Sequence, residues 1–163
     1  MEPLARVATL DDLDGLAELD RDAYESLAPQ RGGPVWALRD ARATRGPEAM
    51  RALLSRADTV VLAGELLGAV LGYAVARDEP LADGTHLAVV TDLYVEPEAR
   101  GVGIGAVLMD EILAWAVRRG CRGVDAVALP GDRATKNFFE GAGLVARAIL
   151  VHRSFLDPAD DAG

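Results

Sequence analysis

Apolar residues along this chain recur in two rhythms, and their alternation sketches a mixed architecture. A short strand is predicted at Ala5–Ala8. Thr9 then reads as a helix N-cap with Asp12 three positions on, and Leu10, Leu13, Leu16, Ala17 and Ala23 mark a helix stripe to about Leu27. "PQRGGP" stops it. A second helical region spans about Trp36 to Arg56 and breaks at "RGPE", where Pro47 suits the first position of a new helix. Strands follow at Thr59–Ala63, Ala69–Arg77 and His86–Val95, joined by turns around Gly64–Gly68 and "DEPLADG", which together predict an antiparallel meander. Ile104, Val107, Leu108, Ile112, Trp115 and Ala116 give the clearest helical face, closed by Arg118, Arg119 and the C-cap Gly120. Val124–Leu129 reads as a strand, Arg133–Glu140 as a short helix and Leu144–Phe155 as a final strand.

Thr59 to Ala76, "TVVLAGELLGAVLGYAVA", is apolar for about the length of a membrane span. Gly64, Gly68 and Gly72 even fall at the spacing of packed transmembrane helices. Against that, Glu65 near mid-membrane would cost about 2.5–3.5 kcal/mol. The valines and the Gly64–Glu65–Gly68 punctuation favour a β-hairpin.

Composition narrows the functional classes. The 163 residues suit one substantial core, and 50% hydrophobic with 26% charged residues describes an ordered chain. A formal charge of −9 opposes attraction to nucleic acid or to an anionic membrane surface, so a neutral or cationic substrate is expected and a nucleic-acid partner is not. Lys136 is the one lysine among 17 basic residues, and with the abundant alanine this is the residue usage of a GC-rich, bacterial genome. Cys121 is the single cysteine, which fits a reducing cytoplasm. "MEPLARVATLDDLD" shows no basic and then apolar leader.

The stretch "YVEPEARGVGIGAVLMDEILAWA" asks for most explanation: a proline turn leads through glycines at 101, 103 and 105 into a helix. The first turn of a helix offers unpaired amides at a positive dipole end, and glycine lets anionic oxygens approach closely. One glycine would satisfy a tight turn; three point to a phosphate cradle. "GVGIGA" formally fits a dinucleotide fingerprint, but "EPEAR" intervenes after the strand and the preceding strands form a meander rather than a βαβ unit.

"LYVEPEARGVGIGAVLM" resembles the acetyl-CoA signature of the GNAT N-acetyltransferase superfamily, with Arg100, Gly103 and Gly105 on its R/Q-x-x-G-x-G/A pattern. "RVATLDDLDGL" resembles the family's opening strand and helix, and "DRATKNFFEGAGL" its second CoA-binding segment, so the likeness covers about residues 4–145. It implies an α/β (α+β mixed) GNAT fold over residues 1–156, with a central, mostly antiparallel, splayed sheet flanked by helices; the polar composition of the tail at 157–163 by itself predicts disorder. In the family the strand before the glycine run pairs its backbone with the pantetheine arm, which falls here on Leu93, Tyr94 and Val95. The pyrophosphate would lie on Arg100, Gly101, Val102, Gly103, Ile104 and Gly105, with Asp132 and Phe139 contributed by the second segment.

The resemblance further implies a cytoplasmic acetyl-CoA-dependent N-acetyltransferase in which an amine, of a small molecule, peptide or protein, attacks the thioester directly. The amide of Tyr94 or Val95 would polarise the thioester carbonyl. Alternation along His86, Ala88, Val90, Asp92 and Tyr94 would put Asp92 beside it as the base, directly or through a water; the competing reading makes Asp92 a structural carboxylate. His86 is the weaker candidate. Phe139 stands where the family often has a tyrosine acid, which keeps a non-catalytic acyl-CoA-binding module as the alternative. No metal is expected. Glu18, Asp20, Asp22 and Glu25 read as a solvated helix face that could also attract an amine. Ending after one strand rather than a hairpin leaves a sheet edge open, from which a homodimer is expected.

Overall fold

A computed structural model describes residues 1–157 of the chain. It has two compact units, Met1–Ala23 with Thr44–Val127, and Tyr24–Ala43 with the chain from Ala128 onward. The first unit holds one sheet, β1 (Leu4–Val7), β2 (Thr59–Leu66), β3 (Ala69–Pro80), β4 (His86–Val95) and β5 (Val124–Ala126), in the order β1-β2-β3-β4-β5. Every pairing is antiparallel except β4 with β5, which is parallel. This is a mixed α/β fold with an open, mostly antiparallel sheet.

The apolar run that mimicked a membrane span is the β2–β3 hairpin. Leu67 and Gly68 both have positive φ, 56° and 81°, as a two-residue turn with the hand of the strand twist requires. Gly64 and Gly72 are direct cross-strand partners, equidistant from Gly68, so the four-residue glycine spacing is that of a hairpin folded on itself. Their missing side chains make room for the helix above. A Cβ on Gly64 would lie 2.7 Å from Ile104 Cγ2, and one on Gly72 would lie 2.9 Å from the Tyr94 carbonyl oxygen. Among the described residues no helix is long and apolar enough to cross a membrane.

Helices cover both faces of this sheet. Leu13, Leu16, Leu19 and Ala23 of α1 (Leu13–Leu27) bury with Met50 of α3 (Pro47–Leu54) against Val61, Ala63, Tyr73 and Val75. On the other face lies α4 (Ile104–Arg118), whose Ile104, Leu108, Met109, Ile112 and Ala116 are buried. The expected local signals operate. Asp12 Oδ2 accepts the Thr9 amide at 2.7 Å, and Pro47 opens α3 after Gly46. Arg6 bridges Asp12 and Glu65, tying the start of the chain to β2.

The second unit contains the end of α1, a short helix, α2 (Gly33–Val35), that widens into a π turn at Trp36–Asp40, and α5 (Arg133–Gly141). Tyr24 and Trp36 stack with ring centroids 5.9 Å apart. Two predicted strands differ from what forms. The Val124–Leu129 strand stops at Ala126, and residues 144–157 contain neither helix nor strand. Alternating apolar residues make a strand only where a neighbouring backbone supplies hydrogen bonds; here Val145, Ile149, Leu150, Val151 and Phe155 are exposed. Of the tail expected to be disordered, residues 158–163 lie outside the described residues.

At one end of the sheet Asp78, 7% exposed, accepts Arg119 Nε at 2.8 Å and contacts His86 Nδ1 at 2.6 Å. The Arg119 hydrogen bond holds this carboxyl below its ordinary range against the opposing effect of burial, and His86 adds to the lowering. His86 is thereby part of a structural clamp.

Two predictions follow from packing and charge. Gly72→Ala should destabilise the protein by about 1–3 kcal/mol in urea unfolding, because its neighbour is backbone that must shift. Since the folded state holds Asp78 ionised more strongly than the unfolded chain does, its contribution is present above the unfolded value of about 3.9 and is lost as pH falls through the lower folded value. Urea midpoints measured between about pH 6 and about pH 3 should therefore fall less steeply in Asp78→Asn than in the wild type.

Candidate active site

The site begins with one extra residue in β4. Ala76 opposes Val90 but Val75 opposes Asp92, so Thr91 is a β-bulge. The bulge resets both the faces and the hydrogen-bonding edges of the strand. Below it, Ala88 N–H donates across to Gly123, the residue before β5, at 3.0 Å. Above it, Glu96 N–H donates to Leu71 of the β3 side at 2.9 Å, and antiparallel alternation then turns the Tyr94 amide toward β3 and the Leu93 and Val95 amides away from it. On that outward side β5 pairs only with Ala88–Val90. From Leu93 to Val95 the strand therefore has an edge that β5 does not pair, with the Val95 carbonyl on it taken by Arg100, and β4 and β5 have parted.

The bulge also corrects the alternation expected for this strand. His86 contacts Asp78, which is bonded to Arg119 just beyond α4, so His86, Ala88 and Val90 share the α4 face. Asp92 and Tyr94 sit opposite Val75 and Tyr73 on the α1 face. They do not form one row with His86.

Past Val95 the chain makes a 3₁₀ turn at Pro97–Ala99 and enters α4 through Gly101 and Gly103, both with positive φ, 87° and 96°. Glycine is required there because other residues strain in that conformation. Nothing lies within 4 Å of where a Cβ on Gly101 would stand, so that face of the turn is open. Val107 N–H makes a helix bond to Gly103, which leaves the amides of Ile104, Gly105 and Ala106 as the first-turn donors. No acidic residue stands in this first turn, although that is where carboxylates favour a helix. Arg100 Nε donates to the Val95 carbonyl at 2.9 Å, and its guanidinium lies 5.5 Å from the Tyr94 ring centre. The arginine thus fastens the cradle to the open strand edge.

On the α1 face, Asp92 is held by the Tyr73 hydroxyl at 2.8 Å from Oδ2 and by Thr91 Oγ1 at 2.8 Å from Oδ1. The same Tyr73 hydroxyl lies 3.0 Å from Asp20 Oδ1, which also accepts Arg45 at 3.1 Å. Asp20 is 2% exposed, so it does not belong to the solvated acidic face expected for it; Glu18, Asp22 and Glu25 do. Its place on the Leu13–Leu16–Asp20–Ala23 stripe, with helical spacing, was the available signal. Tyr73 and Arg45 carried no comparable mark. Burial raises the Tyr94 hydroxyl above its ordinary range, Arg100 opposes the rise, and Asp22 and Glu96 add to it.

The remaining predicted residues belong to the second unit. Asp132 caps α5, accepting Thr135 N–H at 3.2 Å and its hydroxyl at 2.6 Å. Phe139 is buried on α5 with its ring centre 5.8 Å from that of Phe138.

The donors present fit a CoA thioester. A pyrophosphate suits an acid-free, glycine-opened helix start, and the amide-containing pantetheine arm suits a strand edge that β5 leaves unpaired.

Comparisons with known proteins bear on the fold and the family. No match is found among curated proteins. Solved structures with the same fold include a transcriptional regulator from Bacillus halodurans, 19% identical over 94% of this chain and 100% of its own, with a TM-score of 0.73. An aminoglycoside acetyltransferase from an uncultured soil metagenomic sample is 19% identical over 94% of this chain and 95% of its own, with a TM-score of 0.70. A ribosomal-protein-alanine N-acetyltransferase from Brucella melitensis is 18% identical over 95% of this chain and 100% of its own, with a TM-score of 0.72. At such identities these likenesses speak for the fold. The family profile described as acetyltransferase (GNAT) matches residues 14–144, and the chain belongs to that family.

Proposed function

We propose that this protein is an acetyl-CoA-dependent N-acetyltransferase that acts on the amine of a small molecule, peptide or protein, with residues 1–156 as its catalytic domain. The observation that carries the reading is the continuity of two features: the β4 edge at Leu93–Val95 that β5 leaves unpaired runs directly into the acid-free glycine start of α4. The Leu93–Val95 stretch would lie along the pantetheine arm, with Leu93 offering its outward backbone groups to the arm's amides. Arg100, Gly101, Val102, Gly103, Ile104 and Gly105 would hold the pyrophosphate; Asp132 and Phe139 are the cofactor-binding residues proposed for the second segment.

Acetyl-CoA, when bound, supplies an acetyl group already activated as a thioester. The chain's own residues then align and move a proton. The outward Val95 amide is the donor suited to the thioester carbonyl, since the Tyr94 amide faces β3. Asp92 accepts the amine proton, directly or through a water. A thiol leaves readily, with a pKa near 8.5, so solvent can protonate the sulfur although Phe139 lacks a hydroxyl. The chain's acidity, the aminoglycoside-modifying likeness and the alanine-modifying likeness all favour an amine acceptor. The exposed apolar residues between Val145 and Phe155 support the expectation of a homodimer. A cytoplasmic location in a bacterium is supported by the lone cysteine and the arginine-rich composition. The second reading, a non-catalytic acyl-CoA-binding module, is favoured by Phe139 alone.

Ala106 is exposed in the first turn of α4, so Ala106→Glu places a carboxylate beside the cradle without straining the backbone. Calorimetry should show acetyl-CoA binding to the wild type and about tenfold weaker binding to the variant, with thermal stability unchanged or raised. Equal affinities would exclude the cradle.

In transfer assays across an amine library, Asp92→Asn should lower turnover by about 10²-fold or more while acetyl-CoA affinity changes little. Parallel losses of affinity and melting temperature would assign Asp92 a structural role.

A further inference from the structure

Resting on the proposed transferase reading, we propose that Asp20, Tyr73 and Asp92 act as one proton-holding unit, in which the proton taken by Asp92 is retained through a hydrogen bond to the Tyr73 hydroxyl. The hydroxyl oxygen lies 2.8 Å from Asp92 Oδ2 and 3.0 Å from Asp20 Oδ1. Both are hydrogen-bond lengths, yet a hydroxyl has a single proton to donate and carboxylates have none. With both acids ionised, one contact is a hydrogen bond and the other sets two lone-pair-bearing oxygens face to face. One added proton makes both contacts attractive.

The surroundings keep this arrangement in place. Tyr73 is 0% exposed and packs in the core among α1, β2 and β3, so its hydroxyl can rotate about the C–O bond but the ring cannot leave. Arg45 gives Asp20 Oδ1 a second donor at 3.1 Å, so Asp20 stays satisfied when the hydroxyl turns away. From β4 itself, Thr91 donates to the other Asp92 oxygen, and Tyr94, with Asp22 and Arg100 around it, stands two residues on along the same face. When Asp92 is ionised, Tyr73 donates to it. When Asp92 is protonated, it donates to Tyr73, which turns and donates to Asp20. Burial makes each correctly paired state strong and each mispaired one costly.

In the transfer step the amine nitrogen bonds the acetyl carbon as the carbon–sulfur bond breaks and its electron pair leaves on sulfur. The nitrogen's proton passes to Asp92 and solvent protonates the thiolate, giving amide and thiol; Asp92 then returns its proton to solvent. Tyr73 and Asp20 touch no substrate in this scheme. They are positioning residues whose effect reaches the amine through Asp92.

The test uses the full chain as wild type, Tyr73→Phe, Asp20→Asn and Asp92→Asn. Infrared difference titration without any ligand reads the carboxylic-acid C=O band. A shared proton predicts one band that is lost or displaced in both Asn variants and displaced in Tyr73→Phe; an Asp92 band with unchanged frequency and pH dependence in Tyr73→Phe and Asp20→Asn overturns the proposal. Tyr73→Phe keeps the ring, so it remains informative where Asp20→Asn does not fold. In transfer assays Tyr73→Phe should lower kcat by about 10–10²-fold and alter the pH–rate profile, with acetyl-CoA affinity unchanged. Wild-type kcat and pH profile in that variant would overturn the catalytic link. Failure of the wild type to bind acetyl-CoA would instead refute the transferase reading, while the infrared result would still decide whether the proton is shared.

Discussion

Thr91 is one residue more than β3 can pair with, and the function argued for this strand depends on that surplus. Before the bulge, the side chains of Ala88 and Val90 face α4 and the Ala88 amide faces β5. After it, the phase is shifted by one, so Asp92 meets the Tyr73 hydroxyl and the outward amides become those of Leu93 and Val95. Without the extra residue, Asp92 would face α4 and lose Tyr73. The parting of β4 from β5 after Val90 then leaves the reset edge unpaired by β5. A bulge and a short neighbour together turn an ordinary strand into one with an open edge and a positioned carboxylate.

The helix start depends on close packing below it. Gly64 and Gly72 form a floor without side chains, and Ile104 rests on it, its Cγ2 2.7 Å from where a Cβ on Gly64 would stand and 3.1 Å from one on Gly72. Gly101 and Gly103 then supply the left-handed backbone that brings the chain from the strand into the helix. Arg100 joins the two parts through the Val95 carbonyl. The same group of residues therefore fixes the position of the positive helix end and its distance from the open strand, which is what a long substrate with a phosphate at one end and a thioester at the other demands.

Burying Asp20 would be costly if it stood alone. Arg45 and Tyr73 satisfy it, and through Tyr73 it is coupled to Asp92 on the far strand. This links α1, the segment before α3, β3 and β4 by directional bonds in a core otherwise held by nondirectional apolar contacts. Asp78 forms the corresponding polar tie on the opposite face, to His86 and Arg119. The two buried carboxylates divide the work: one fixes the sheet to the end of α4, the other stands behind the candidate base.

By itself, the sequence determined most of the local elements and the glycine-opened start of α4, because helical periodicity, hairpin turns, Pro47 at a helix start and the Gly101–Gly103–Gly105 run depend on neighbours along the chain. It also carried the family, through residues clustered in one motif. Tertiary structure alone decided the bulge at Thr91, which arises from the mismatch of β4 against β3 and leaves no mark in either strand read singly. It decided that Asp20 is buried, since a carboxylate on an apolar stripe can be accepted only when Arg45 and Tyr73, distant in sequence, arrive to satisfy it. It also decided that Val124–Leu129 pairs for only three residues and that residues 144–157 form no strand, because hydrogen bonding to a partner backbone, rather than alternation, is what makes a strand.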